Sequence, residues 1–187
     1  MHYMKTGCSP LWSSIQNNDT DIAAIKDGIV SASCKTGLPK RFLMAIMIQE
    51  SRGCVHVVTT SNGNTNPGLM QSFNGNATCN VGGQAVASCQ HDTIVEMIEQ
   101  GAGVGLEFGL QQALQKAGGS DAQAYYKAAR IYNSGSLDPS GNLGLGIATH
   151  CYATDITNRL RGWAGDQTPC REDTIGLPYS GYNNSVS

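Results

Sequence analysis

Phe42-Leu43-Met44-Ala45-Ile46-Met47-Ile48-Gln49-Glu50-Ser51 is the stretch that decides the fold. Phe42 to Ile48 is apolar all round, which marks a helix through the centre of a fold rather than over its surface. Pro39 suits its first turn, where a missing N–H costs nothing. Glu50 comes at its end, with Ile46 and Met47 four and three residues back, on the face nearest its side chain. A carboxyl emerging beside apolar surface holds its proton to higher pH, because desolvation disfavours the charged form. The plain alternative is a helix-terminal Glu in a cap or a surface ion pair, and the helix alone does not decide between them.

Upstream, Ile22, Ile25, Ile29 and Val30 recur at the spacing of a half-buried helix that starts at Asp19 and stops at Gly37. Residues 1–18 have no period and read as an N-terminal coil tied down by Cys8. Downstream, the segment from Gly53 to Asn80 is irregular, rich in Thr, Asn, Gly and Pro, with short strands expected at Val55-His56-Val57-Val58. It would form one wall of a cleft. Helical pattern returns over Asp92–Gln100 and Val104–Lys116, separated by glycines. Ser120 with Gln123 has the spacing of a capping box and opens a helix that Gly135 ends. A last helix is expected over roughly Ile147–Leu160, and 164–187 reads as a C-terminal coil held by Cys170. With no repeat and no linker, 1–187 reads as a single domain, mainly α, with a short irregular or β segment beside the cleft and disulfides to stabilise it.

The 187 residues carry 12 basic and 14 acidic side chains, a net charge of −2, which gives no bulk attraction for nucleic acid or an anionic membrane. No apolar run approaches the roughly 20 residues that span a bilayer. The seven cysteines have no zinc-type spacing, so disulfides account for them better: three bridges at most, with one thiol left over. Together with sequons at Asn18, Asn76 and Asn183, they favour an oxidising, secreted location and a removed targeting segment. His2, His56, His91 and His150 share no ligand spacing, and neither a phosphate loop nor a nucleophile elbow is present, so no metal or cofactor is assigned. Trp12, Trp163 and the tyrosines can stack on sugar rings, although packing is the default for any one of them.

Three short motifs follow one another along the chain: Gln49-Glu50-Ser51, Gly68-Leu69-Met70-Gln71 and Ile131-Tyr132-Asn133-Ser134-Gly135. Their order and their placement at a helix end, a loop and a second helix end resemble the signatures of soluble lytic transglycosylases and goose-type lysozymes. The resemblance covers 42–135, about half of the chain. It implies a lysozyme-like α-helical fold and cleavage of the β-1,4 bond between N-acetylmuramic acid and N-acetylglucosamine in peptidoglycan, by a monomer. Carried over residue by residue, it makes Glu50 the general acid and base, with Ser51 supporting the helix end. Thr59 stands where the family's substrate-binding Ser falls, with Thr60 or Ser61 as alternatives. Met70 and Gln71 would line the sugar site, Tyr132 would orient the Glu50 carboxyl, and Asn133 would bind substrate or hold the turn. Against each stands a packing role: core filling for Met70, a buried aromatic for Tyr132, a helix cap for Asn133.

The departures from the family concern the second carboxylate. Glycosidases that release free sugars ordinarily use two. Goose-type lysozymes carry an Asp two residues after the motif's Gln and another upstream, where this chain has Phe73 and Asn62. A lone Glu suits the lytic transglycosylase reaction, in which the muramic acid 6-hydroxyl closes an anhydro ring. A hydrolase using water held by Thr or Asn, or a carboxylate brought by the fold from Asp92 or Asp138, stays open. So do chitin as substrate and a binding module that has lost turnover.

Overall fold

The computed structural model describes residues 2–61 and 63–177. Asn62 and the sequon at Asn183 lie outside the described residues. The helices are α1 (His2–Lys5), α2 (Asp19–Thr36), α3 (Lys40–Ser51), α4 (His91–Ala102), α5 (Leu110–Ala117), α6 (Ala122–Ser134) and α7 (Tyr152–Leu160). The protein is mainly helical and disulfide-bonded, and no helix of the described residues is long and apolar enough to cross a membrane.

Local chemistry explains the first two long helices. Asn18 caps α2: its side chain accepts from Asp21 N, and the Asp21 carboxylate accepts from Asn18 N in return, each at 2.9 Å. Gly37, at φ 75°, closes the helix in the left-handed region that a glycine enters without penalty. α3 buries Phe42, Leu43, Ala45, Ile46 and Met47 and is the centre of the core, as its unbroken apolar run demands. α2 packs on α4, α5 on α6, and α7 on both α3 and α6. One apolar cluster, including Leu43, Met47, Leu69, Met70, Met97, Ile98 and Ile131, joins these layers.

Three disulfides, Cys8–Cys54, Cys79–Cys89 and Cys151–Cys170, leave Cys34 unpaired and exposed on α2. Cys8–Cys54 ties the first residues of the chain to the exit of α3. Beside it, Asn17 is a buried hub. Its amide donates to Met4 O (2.8 Å) and Gly53 O (2.6 Å), while its oxygen accepts from Val55 N at 3.0 Å.

Five expectations about local structure change. The N-terminal segment expected to be coil over 1–18 contains a short helix, α1, at His2–Lys5. No strand forms at 55–58: Val55, His56 and Val57 are all buried, so the run turns inward instead of alternating between faces. Side chains hold its backbone, with Asn17 taking Val55 N and the Asn80 amide donating to His56 O. Among the described residues the strands form two short antiparallel hairpins, β1 (Thr60–Ser61) with β2 (Thr65–Asn66), and β3 (Asn80–Val81) with β4 (Gln84–Ala85). The helix expected from Val104 begins only at Leu110, after an irregular stretch that ends at Gly109. α6 is capped by Asp121 and not by Ser120, because the Asp121 carboxylate accepts from Ala124 N at 2.9 Å. α7 begins at Tyr152 rather than near Ile147, since Gly146 and Ala148 hold positive φ and keep 146–149 out of helical geometry.

Candidate active site

Glu50 leaves the last turn of α3 half buried and opens into a cleft of about 1040 Å³. The hairpin wall supplies Thr60, Asn64 and Asn66. The end of α6 supplies Tyr132, Asn133, Ser134 and Gly135, and the loop before α7 supplies Ile147, Ala148 and Thr149. Gln71, Phe73, Phe108, Lys116 and Glu172 complete the lining.

Burial raises the Glu50 pKa from its ordinary 4.5 to about 7, and a hydrogen bond from Tyr152 opposes that rise. The Tyr152 hydroxyl donates to Glu50 Oε1 at 2.5 Å. Its own phenol is pushed well above 10 by burial and by the nearby Glu50 charge, so it stays a neutral donor. Tyr132 is raised for the same two reasons, burial first. Its hydroxyl donates to Met70 O at 2.7 Å. The phenol bound to Glu50 is therefore that of Tyr152, which the sequence did not single out, while Tyr132 neighbours the carboxyl and braces the chain at Met70. Tyr152 and Ile156, one helical turn apart, do mark a buried face. Nothing local says that this face meets the end of α3.

The remaining residues singled out from sequence divide by what their polar atoms do. Ser51 is buried; its hydroxyl donates to Met47 O at 3.0 Å and accepts from Gly53 N at 3.2 Å, which finishes the helix. Met70 is fully buried in the core cluster, away from the cleft lining. Gln71 sits at φ 48° and lines the cleft, but its amide serves the scaffold. It accepts from Thr60 Oγ1 at 2.8 Å and donates to Val58 O (3.2 Å) and Gly68 O (3.0 Å). Thr59 is exposed outside the lining, whereas Thr60 is part of it. Asn133 lines the cleft and accepts from Arg130 Nη1 at 3.4 Å.

Arg130 shapes one rim. Buried in α6, its guanidinium donates to Thr149 O at 2.5 Å and to Ile147 O, and so fixes the loop in which Ala148 takes φ 65°. A non-glycine residue in the left-handed region costs on the order of 1 kcal/mol and persists where its surroundings over-determine it.

Neither Asp92 nor Asp138 lines the cleft. Asp92 is exposed at the start of α4 beside His91, and Asp138 takes the Ser140 backbone and hydroxyl. Glu172 is the second carboxylate that does. It accepts from His150 N at 2.8 Å and Cys151 N at 3.0 Å, in a tail folded back by the Cys151–Cys170 bridge. Its sequence neighbours are a Pro, a Cys and charged residues with no periodicity, so the only signal for it was the cysteine whose partner the sequence does not reveal. No protein-family model, curated protein or solved structure matches this chain.

Proposed function

We propose that the protein is a secreted enzyme with a lysozyme-like α-helical fold that cleaves the β-1,4 bond between N-acetylmuramic acid and N-acetylglucosamine in peptidoglycan. The observation that carries the reading is Glu50: a carboxyl with a pKa near 7, held by a neutral phenol in a cleft of about 1040 Å³ with mixed polar and apolar lining. Near neutral pH it exists in both protonation states, as a group that must give and then take a proton requires. In the first half-reaction the Glu50 proton goes to the glycosidic oxygen as the bond from C1 to that oxygen breaks. In the second, an oxygen nucleophile bonds to C1 and gives its proton to the Glu50 carboxylate. The motif order along the chain supports the substrate class.

Two outcomes follow from the identity of that nucleophile. Attack by the sugar's own 6-hydroxyl gives an anhydro product lighter by one water, and needs only Glu50. Attack by water gives a reducing sugar and is helped by a second carboxylate. Glu172, in the same cleft, is the observation that favours hydrolysis. Digestion of purified peptidoglycan with mass analysis of the products tests both. Loss of all products in Glu50→Gln is expected, since an amide cannot donate the proton; undiminished turnover would overturn the assignment. Under hydrolysis, Glu172→Gln loses reducing products by roughly 100-fold, the ordinary range for a general base. Chitin shares the N-acetylglucosamine ring, and release from chitin without release from peptidoglycan would move the substrate there. Binding of either polymer with no product would mark a module without turnover.

A further inference from the structure

Phe73 is 43 % exposed and Ile147 70 % exposed, and both border the cleft. Both are large apolar side chains left in water at the edge of a cleft whose lining mixes polar and apolar groups. Phe73 is held there by its backbone. Ser72 N donates to Pro67 O at 3.0 Å, and the next residue, Asn74, stands at φ 54° and donates its N–H to Thr65 O at 2.8 Å. Residues 72–74 are thereby pinned to 65–67 at the end of the β1–β2 hairpin, with Phe73 between the two bonded residues and at the surface. Its neighbour in the cleft is Phe108, packed on the core, with ring centroids 6.3 Å apart and planes at 82°. This edge-to-face contact fixes the orientation of an exposed ring.

We propose that Phe73, braced by Phe108, is the stacking platform of the cleft and takes the flat face of an uncharged N-acetylglucosamine ring. A β-linked ring of this sugar carries its substituents equatorially, so its faces present axial C–H groups that match the negative face of a phenyl ring. Asn64, Asn66 and Thr149, which also line the cleft, offer neutral donors and acceptors for acetamido and hydroxyl groups. Phe73 occupies the position at which goose-type lysozymes carry an Asp, so this chain has a stacking face where those have a charge.

The assignment rests on the cleft being the amino-sugar site argued above. Its test separates the two. The Glu50→Gln protein is titrated calorimetrically with the β-1,4-linked tetramer of N-acetylglucosamine, with and without a change at position 73. Phe73→Ala is expected to weaken binding about tenfold, Phe73→Leu to recover less than half of that loss, and Phe73→Trp to bind at least as tightly as Phe73. Equal affinity for Phe73 and Phe73→Ala, equal affinity for Phe73 and Phe73→Leu, or no binding of the tetramer at all would each overturn the platform. Absence of cleavage by the unaltered protein would overturn the enzyme reading while leaving the titration result intact.

Discussion

Replacing Glu50 by Gln tests the environment of the site apart from any substrate. The carboxyl keeps its proton to about pH 7 in the folded protein against an ordinary 4.5. Each tenfold change in proton affinity corresponds to about 1.36 kcal/mol, so the ionised carboxylate destabilises the fold by at most about 3 kcal/mol, and by about 2 kcal/mol once the open side of the cleft is allowed for. The sign is fixed by proton binding. Below pH 4.5 both folded and unfolded chains are protonated and the fold carries no penalty. Between 4.5 and 7 the unfolded chain loses its proton first, so stability falls as pH rises, and above 7 the full penalty is present. Gln has no charge to bury, and its amide oxygen still accepts from Tyr152. Urea unfolding of both proteins should show little difference at about pH 4 and Glu50→Gln more stable by about 2 kcal/mol at about pH 8. Titration of the other groups is common to both proteins and cancels. The same difference at both pH values would refute the desolvated carboxyl.

Tyr152→Phe removes the donor that lowers the Glu50 pKa, so the alkaline limb of the pH–activity profile should move up by about one pH unit; an unmoved or lowered limb would place the phenol's effect elsewhere. Gly101→Ala is normally favoured in a helix by about 1 kcal/mol, but a Cβ there would collide with the Met70 side chain. Unfolding should show a loss of about 2 kcal/mol instead, with reduced activity, because Met70 O anchors Tyr132 beside Glu50; a neutral or stabilising change would show that the contact yields freely.

What the sequence made legible was local. The Asp19 start and Gly37 stop of the second helix, the central burial of Phe42–Met47 and the emergence of Glu50 beside apolar surface all depend on residues within a few turns of one another. What stayed hidden depended on contacts across the chain. Val55–Val58 has the composition of a strand, and two asparagines distant in sequence took the hydrogen bonds that a partner strand would have made. Tyr152 lies 102 residues from Glu50, and Glu172 is held in the cleft by the Cys151–Cys170 bridge and by the His150 and Cys151 N–H groups. Gln71 was legible as a cleft residue, but not the scaffold bonds that occupy its amide. A free amide and an occupied one read the same in sequence.

Arg130, Tyr132 and Asn133 belong to one helix, and through them α6 touches the loop at 147–149, the chain at Met70 and the cleft itself. The groove's width is thus set by the seat of a single rigid rod rather than by a hinged cover. A substitution beneath α6, at its contact with α5, would act as a caliper adjustment: it would move floor and rim together and change which polymer thickness fits, while the proton-bearing end of α3 stayed where it is.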